Sequence, residues 1–535
     1  MTIAPTWNRF KSTLCTVDEI GLRLDWSRMH PQEGFLEKMS VPMHAALEAM
    51  RNLEQGTLAN FSESRMVGHY WLRAPELAPR PEIRDDIRNT IDGVLRFAAD
   101  IHSGAILPQR SDGFLVVLVI GIGGSALGAQ FVCDALGTGD DPMIVRFLDN
   151  TDPDGIDRVL TELDETLDQT LTVVISKSGT TVETRNGLAE VASAYQRAGL
   201  DFSRHAVAVT CDGSTLHLRA EKERWFRSFP MWDWVGGRTS VFSAAGLLPI
   251  ALTGGNVEEI LTGARFCDAA TRNPNVNSNP AALLALMWYH TVVQQGKRNL
   301  VVLPYRDRLE YFGRYLQQLV MESLGKETDR SGRTVHQGLT VYGNKGSTDQ
   351  HAFVQQLRDG PDDFVALFVE VLKDRESPSA LVEPDATTGD YLHGFLHGTR
   401  AALTEKGRES LAIGLRELTP RTLGGLIALF ERTVGLYAEL INVNAYDQPG
   451  VEAGKKAASA LIELQRKLLH LLRAKPGIAH TVESIADGLG APESAEMIFH
   501  LLEHVSESGD HGVVRTPGKN WWDARYSAGS GHKKP

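Results

Sequence analysis

Short apolar runs rich in β-branched residues alternate with helical segments from about residue 114 onward. The clearest run, Phe114–Ile120, is apolar throughout and ends directly in glycines. Such a run is typical of a strand that is buried on both faces of a parallel sheet. Similar runs recur at Met143–Leu148, Leu171–Ile175 and Ala206–Thr210. Because helical segments separate them, the pattern predicts a doubly wound parallel sheet.

The same alternation repeats in the second half of the chain. Strands are predicted at Leu300–Pro304, Phe364–Leu372 and Leu411–Leu415, followed by a long helix over 420–441. A chain of 535 residues has room for two such units. The predicted boundaries are 1–110 for a helical N-terminal segment, 111–275 and 276–445 for two α/β domains, 446–477 for a C-terminal helix, and 478–535 for a small helical extension.

The overall charge limits how this chain can bind an anion. It has 55 Lys and Arg against 67 Asp and Glu, which gives a net charge of −12. A nucleic-acid-binding protein usually carries the opposite sign, and the segment from 476 onward is also acidic, with five basic and eight acidic residues. We therefore predict no nucleic-acid partner. A phosphate group would have to be held by a local arrangement of donors.

Cysteine usage and hydropathy indicate the cellular compartment. The four cysteines are scattered and form no CxxC pair, which argues against a disulfide framework and suits a reducing compartment. The N-terminal residues contain no apolar stretch typical of a secretory signal. The strongest apolar run is far too short to cross a bilayer. The sequence therefore predicts a cytoplasmic protein with no membrane partner.

The first predicted strand runs into a glycine-rich loop, Gly121–Gly128. Glycines let the backbone approach a ligand, and the helix that follows offers unpaired N–H groups to an anion. The loop also fits a dinucleotide-binding fingerprint through Gly121, Gly123 and Ala126, with Asp149 ending the next strand. On this loop alone, a nicotinamide dinucleotide and a smaller phosphorylated ligand are equally good interpretations.

The loop after the third strand favours the smaller ligand. Ser176-Lys-Ser-Gly-Thr-Thr181 places four hydroxyl residues, one lysine and one glycine directly before a helix. Hydroxyl groups, backbone N–H groups and a helix N-terminus together suit a single phosphate group. A simple N-cap is the structural alternative, but a cap needs one hydroxyl rather than four. Two adjacent loops would then form a sugar-sized pocket beside a monophosphate pocket.

Four further residues are candidates for chemistry. Glu322 lies near the end of a predicted helix, where from spacing alone a solvated helix-end glutamate is the simpler interpretation. His351 lies in a polar loop that suits a titrating side chain. Lys455 lies in the first turn of a helix, where the dipole disfavours a cation. Arg238 stands between two glycines and two hydroxyl residues.

His393 and His397 are four residues apart and could share one face of a helix, as metal ligands do. The sequence shows no third ligand beside them. A structural role is therefore the favoured interpretation, and no metal site is predicted.

Taken together, these segments resemble the glucose-6-phosphate isomerase family in its bacterial and cyanobacterial form. The segment Asp233-Trp-Val-Gly-Gly-Arg-Thr-Ser-Val-Phe-Ser-Ala244 is close to one family signature. A second signature runs from Ala438 to Lys455 and contains Tyr446-Asp-Gln-Pro-Gly-Val-Glu452. The glycine loop, the Ser176 loop and the loop around His351 also match, in the family's order. The resemblance covers residues from about 110 to 475.

The resemblance implies a fold, a reaction and a set of site residues. It implies two sugar-isomerase (SIS) domains, each a three-layer α/β/α sandwich on a parallel sheet, in a homodimer that needs no metal or organic cofactor. The implied reaction interconverts glucose 6-phosphate and fructose 6-phosphate. Glu322 would be the base, and His351 and Lys455 would open the sugar ring, with His351 contributed by the partner subunit. The substrate contacts implied by the motif match are Ser176, Lys177, Ser178 and Thr181 for the phosphate, and Gly124, Ser125, Arg238, Gln318 and Gln448 for the sugar.

The departures from the family pattern are few. Thr239 stands where many members have an aromatic residue, and Lys345 stands where an acidic residue is an alternative. Three other functions remain open at this stage. They are another sugar-phosphate isomerase, for example one that accepts mannose 6-phosphate, a non-catalytic sugar-phosphate sensor, and an NAD-dependent dehydrogenase.

Overall fold

The computed structural model describes residues 3–529. Two compact units divide between Asp447 and Gln448. The first unit contains two α/β sheets and the N-terminal segment, and the second contains the C-terminal helices. The prediction of an α/β protein with parallel sheets is confirmed.

The N-terminal segment contains helices and also strands that the sequence analysis did not predict. Helix α3 (Pro81–His102) begins with a proline at its first position, which suits a helix start, and buries Ile83, Ile87 and Val94 on one face. The elements of this segment are α1 (Ile3–Ser12), β1 (Leu14–Val17), β2 (Leu22–Arg28), α2 (Phe35–Glu54), β3 (Leu58–Asn60), β4 (Arg65–Met66) and α3 (Pro81–His102).

The first sheet contains five parallel strands in the order β6-β5-β7-β8-β9. Its central strand β7 is completely buried, as its apolar sequence predicts. The four predicted strands of this half are confirmed to within two residues. Its elements are β5 (Val116–Ile120), α4 (Leu127–Leu136), β6 (Ile144–Leu148), α5 (Pro153–Leu163), β7 (Thr170–Ile175), α6 (Val182–Arg197), β8 (Ala206–Thr210), α7 (Thr215–Glu223), β9 (Arg227–Pro230), α8 (Ala244–Leu252) and α9 (Val257–Thr271).

The second half repeats this plan around a sheet of six strands. Its elements are α10 (Pro280–Tyr289), β10 (Asn299–Pro304), α11 (Glu310–Leu316), β11 (Lys326–Thr328), β12 (Thr334–Gln337), β13 (Thr340–Tyr342), α12 (Val354–Asp359), β14 (Phe364–Val371), β15 (Leu381–Glu383), β16 (Ala386–Thr387), α13 (Thr388–Glu405), β17 (Ser410–Leu415) and α14 (Pro420–Leu440). The strand order is β1-β2-β17-β14-β10-β13. The four strands from this half are parallel, whereas β2 pairs antiparallel with β17 and with β1.

Helix α14 lies in the interior and carries two charged residues there. Its residues from Thr422 to Ala438 are all buried. Arg432 donates to Asp268 of α9 at 3.0 Å and also bonds Glu54 of α2, while Arg73 makes a two-pronged pair with Asp268 at 2.8 and 3.0 Å. Because buried charges are costly unless they are paired, this network ties three helices and the N-terminal segment in one arrangement.

The second unit is built around its own apolar cluster. Leu468 and Leu472 of the long helix pack with Ile485, Leu502 and Tyr526. The elements of this unit are α15 (Pro449–Ala474), α16 (Val482–Gly488), α17 (Ala495–Glu507), β18 (Val513–Thr516) and β19 (Arg525–Ala528). Across residues 3–529, none of the helices combines the length and apolar character that a bilayer span requires.

Candidate active site

The glycine loop and the Ser176 loop leave neighbouring strands of the first sheet at the same edge. Gly121 follows β5 and lies against the end of β7, so that a Cβ at this position would stand 3.3 Å from the carbonyl oxygen of Ile175. A Cβ there would also approach the Ser125 carbonyl to 2.8 Å. The glycine therefore permits the close approach that joins the two loops, at the edge where ligands of such sheets bind.

The Ser176 loop is held through its backbone carbonyl groups, which leaves several of its amide N–H groups available to a ligand. The Thr210 hydroxyl donates to the Ser176 carbonyl at 2.6 Å, and the Cys211 amide donates to the Lys177 carbonyl at 3.0 Å. Within residues 3–529, the amide N–H groups of Lys177, Ser178 and Thr181 form no hydrogen bond. Free N–H groups before the 16-residue helix α6, beside hydroxyl groups, form a local site for an anion.

The Lys177 ammonium group does not face this site. It donates to the backbone carbonyls of Asp233 and Val235, both at 2.8 Å. Burial is the main reason that the pKa of Lys177 is lowered, and nearby Arg65 acts in the same direction. The side chain therefore fixes the segment that leads into Arg238, instead of supplying the loop's expected cation.

Two glycines bring the Arg238 segment against the glycine loop. A Cβ on Gly124 would lie 2.1 Å from the carbonyl carbon of Gly237, so that only glycine fits there. The Ser240 hydroxyl donates to the Gly124 carbonyl at 2.9 Å and fixes the contact. The two glycine motifs that the sequence analysis singled out are therefore in direct contact.

Arg238 is buried and binds three different groups. Its Nε donates to the Glu322 carboxylate at 3.1 Å, and its two terminal nitrogens donate to the carbonyls of Ala445 and Asp447 at 2.8 and 2.9 Å. A guanidinium group stays charged at any physiological pH, and its planar fork holds a fixed direction. Arg238 therefore gives this site a permanent positive charge beside a carboxylate.

Glu322 lies at the end of a helical stretch that continues α11 as a π-helix over Gln317–Glu322. The Gln318 amide donates to the same carboxylate oxygen as Arg238, also at 3.1 Å. The Gln318 amide nitrogen further lies 3.2 Å from the place that a Cβ on Gly123 would take. Short π-helical turns are frequent at functional sites. The structure therefore brings together Glu322, Gln318, Arg238 and the glycine loop.

The comparisons with known proteins agree with this geometry. The family model described as phosphoglucose isomerase matches residues 25–385 and 397–469, which is most of the chain. This chain belongs to the phosphoglucose isomerase family. The resemblance inferred from the sequence motifs is thereby confirmed.

The similarity to individual members of the family extends over nearly the whole length. A protein of Geobacter sulfurreducens named glucose-6-phosphate isomerase is 58% identical over 98% of this chain and 99% of its own length. A protein of the same name from Geobacter sp. (strain M21) is 56% identical over 97% of this chain and 98% of its own. A crystal structure of a glucose-6-phosphate isomerase from Chlamydia trachomatis superposes with a TM-score of 0.78 at 27% identity, and covers 87% of this chain and 94% of that one.

Three residues implied by the family resemblance, His351, Gln448 and Lys455, are not among the groups that contact Glu322 within the described residues. His351 ends a short helical turn, is exposed, and forms no hydrogen bond with Glu322, Arg238 or Gln318 in the part of the chain that the structure describes. Gln448 is the exposed residue before α15, in the second compact unit. Lys455 belongs to the same helix, and its side chain lies outside the described residues.

The structure adds one group that the sequence analysis missed. Lys326 is buried, and its ammonium group donates to the backbone carbonyl of Glu322 at 3.1 Å and pairs with the Asp447 carboxylate at 2.9 Å. Burial lowers the pKa of Lys326, although its bond with Asp447 opposes that shift. Its position four residues after Glu322 is the only signal in the sequence that could have pointed to it.

Proposed function

We propose that this chain catalyses the reversible isomerisation of D-glucose 6-phosphate and D-fructose 6-phosphate, a step of glycolysis and gluconeogenesis. Its family and the names of relatives at 56% and 58% identity support the proposal. The observation that carries it is the Glu322 carboxylate, placed 3.1 Å from both Arg238 and Gln318 beside a loop suited to phosphate.

The phosphate anchor is the Ser176 loop. The hydroxyl groups of Ser176, Ser178 and Thr181 and the free N–H groups of Lys177, Ser178 and Thr181 supply the donors. Because the Lys177 ammonium is bonded to two carbonyls, we assign the backbone of Lys177 to the phosphate and its side chain to holding the Arg238 segment. Binding the remote phosphate positions the reacting carbons at the other end of the sugar.

The proton transfer needs one carboxylate. Isomerisation moves a proton between neighbouring carbons through a cis-enediol, and both carbons present the same face, so a single base can take the proton and return it. Glu322 is that base in our proposal. Arg238 stabilises the negative charge that develops on the enediolate oxygen, because its charge is fixed in place before the reaction.

The sugar arrives as a ring, and opening it needs a separate acid and base. We assign this step to His351 and Lys455, with Gly124, Ser125, Gln318 and Gln448 as further contacts of the sugar. His351 is exposed and forms no hydrogen bond with Glu322 within residues 3–529, which supports its contribution to the site of a partner subunit. We therefore propose a homodimer, and a cytoplasmic protein whose reaction uses no metal or organic cofactor.

The domain boundaries enter the proposal as a working division. The first SIS domain, 111–275, supplies the phosphate loop and Arg238, and the second, 276–445, supplies Gln318, Glu322 and His351. The helix of 446–477 carries Gln448 and Lys455, and 1–110 and 478–535 carry none of the proposed site residues. The unit boundary between Asp447 and Gln448 agrees with a separate C-terminal part.

The proposal is tested by supplying fructose 6-phosphate to the purified full-length protein with excess EDTA. Glucose 6-phosphate is then detected through a coupled dehydrogenase. We expect turnover with saturable kinetics, and the absence of product would overturn the proposal. Running mannose 6-phosphate in parallel distinguishes a broader isomerase, and nicotinamide dinucleotide binding measured by calorimetry distinguishes a dehydrogenase.

A further inference from the structure

The histidine pair of α13 has a third partner that the sequence did not show. The Glu370 carboxylate oxygen Oε1 lies 2.9 Å from Nε2 of His397 and 3.2 Å from Nδ1 of His393. Glu370 belongs to β14, so that strand and helix converge on one point. The expectation that His393 and His397 have only a structural role rested on the absence of a third ligand, and Glu370 removes that reason.

The spacing of the three groups matches the requirements of a metal ion. One ligand atom from each residue lies within 4.8 Å of the other two. Ligands about 2.0 Å from a tetrahedral Zn²⁺ stand about 3.3 Å from one another. The histidine nitrogens lie 2.9 and 3.2 Å from the Glu370 oxygen, which is close to the distance between two ligand atoms around a bound ion. Two imidazoles and one carboxylate are also a donor set that transition ions favour.

Glu370 is prepared for this role by its surroundings. It is the one charged residue of β14, and its side chain is 9% exposed, whereas both histidines are about half exposed and open the site to solvent. Arg23 bonds the other carboxylate oxygen, Oε2, and so orients the group while Oε1 faces the histidines.

We propose that Glu370, His393 and His397 bind one divalent transition ion of the Zn²⁺ type, with water completing its coordination. The ion links β14 to α13 and so joins the two ends of the loop between them, which contains the exposed hairpin β15–β16. In the described part of the chain no other group of three such ligands comes together. The site shares no residue with the proposed active site, so its role is to fix this region of the second sheet.

The probe is Co²⁺, whose visible absorption reports tetrahedral coordination, followed by displacement with Zn²⁺. The full-length protein is first stripped with EDTA and then titrated. The variants are His393→Gln and His397→Gln, which keep a polar side chain of similar size. The matched control is the double variant His500→Gln/His504→Gln, because these exposed residues form another four-apart pair, on α17, without a third ligand.

We expect one Co²⁺ per chain in the parent and in the control variant, with Zn²⁺ displacing it and raising the thermal unfolding midpoint. Each variant at 393 or 397 should bind more than about tenfold more weakly, since even outer partners of a metal site cost that much. Isomerase activity should be unchanged in all of them. Absence of the absorption band, or equal binding by the parent and the variants at 393 and 397, would overturn the proposal.

Discussion

Arg238 is the residue on which the candidate site is organised. Its side chain contacts both the carboxylate of the proposed base, Glu322, and the chain near the unit boundary, through the carbonyls of Ala445 and Asp447. Lys177 supports it from one side by holding the carbonyls of Asp233 and Val235. Each of these bonds fixes a direction and not only a charge, which is the requirement for stabilising a short-lived enediolate.

Replacing Glu322 by Gln should remove catalysis while keeping the substrate bound. The amide has nearly the same shape and can still bond Arg238, but it cannot accept the proton. We expect kcat to fall by about 10²- to 10⁴-fold, with little change in KM. The coupled assay measures both, and Glu327→Gln, an exposed glutamate five residues away, is the control. Parent-like kcat in Glu322→Gln would show that another group is the base.

Thr181 and Lys177 should respond differently to substitution. Thr181→Val removes a hydroxyl group from the phosphate loop, and we expect KM to rise about tenfold or more with kcat largely kept, because a hydrogen bond to a charged group is lost.

Lys177→Met removes the bonds to the Arg238 segment, so kcat should fall as well. Initial-rate kinetics separate the two effects. A rise in KM alone for Lys177→Met would place its ammonium group on the phosphate.

At the scale of elements, helix α14 joins the two halves of the first unit through its buried charges. Asp268 accepts from both Arg73 and Arg432, and it lies on α9, which packs along α14. Although burial opposes ionisation, these two arginines hold the pKa of Asp268 well below its ordinary value. Removing one member of such a network leaves the others buried without a counter-charge.

Asp268→Asn should therefore be strongly destabilising. We expect a loss of about 3–5 kcal/mol in the free energy of unfolding, the usual cost of breaking a buried pair. Urea denaturation followed by fluorescence measures it. Glu48→Gln is the matched control, because Glu48 pairs with Arg51 on the exposed face of α2 and should cost less than about 1 kcal/mol. Equal losses in the two variants would contradict the structural role of the network.

The contact between His290 and Glu409 should make stability depend on pH. The two side chains are buried and 3.1 Å apart, and they join the turn after α10 to the start of β17. Burial alone would lower the pKa of His290, but hydrogen bonds to Glu409 and Gln294 raise it above its ordinary value. A histidine whose pKa is raised by folding stabilises the fold through its protonated form. This contribution is complete below about pH 6.5 and is lost as the pH rises through the raised pKa.

The parent protein should accordingly lose stability as the pH rises above about 6.5, and His290→Gln should show a flatter dependence. Urea unfolding at several pH values gives both curves, and the contributions of the other histidines cancel in the difference. Parallel curves would mean that this pair does not titrate with folding.

The sequence predicts elements that are locally determined and misses those that depend on distant parts of the chain. The central strands are predicted because an apolar run such as Thr170–Ile175 has one stable environment. Strands β1 and β2 join a sheet only because β2 pairs with β17, which lies far along the chain, so no local pattern reveals them. In the site, the motifs located the loops around Ser176 and Arg238, but neither the direction of the Lys177 ammonium nor the approach of Glu370 to His393 follows from spacing.

On the scale of the whole molecule, the candidate site is assembled from two halves of similar plan. The parallel strands of the two sheets follow the same order. In the first sheet β6 and β7 flank β5, and in the second sheet β13 and β14 flank β10. The first half supplies the Ser176 loop and Arg238, and the second supplies Gln318 and Glu322. Neither half contains both the phosphate loop and the base.

A homodimer with His351 contributed by the partner subunit predicts complementation between two inactive variants. Glu322→Gln and His351→Ala chains are mixed after dissociation and reassembled. Each mixed dimer then has one site with both residues intact, so about a quarter of the parent activity should return at equal mixing. Sedimentation and the coupled assay follow assembly and activity. If His351 acted within its own chain, no mixed dimer would have an intact site and no activity would return.

The antiparallel pairing of β2 with β17 also sets an order of events during synthesis. Arg28 pairs with Ser410, and Leu22 with Leu415, so the N-terminal strands leave the ribosome long before their partner is made. At about 5–20 residues per second, the delay is roughly 20 to 80 seconds. The first sheet, by contrast, has all its strands between Val116 and Pro230. The nascent chain therefore carries the β1–β2 hairpin with its β2 edge unpaired after all strands of the first sheet have been made, and a chaperone that shields this edge would act in that interval.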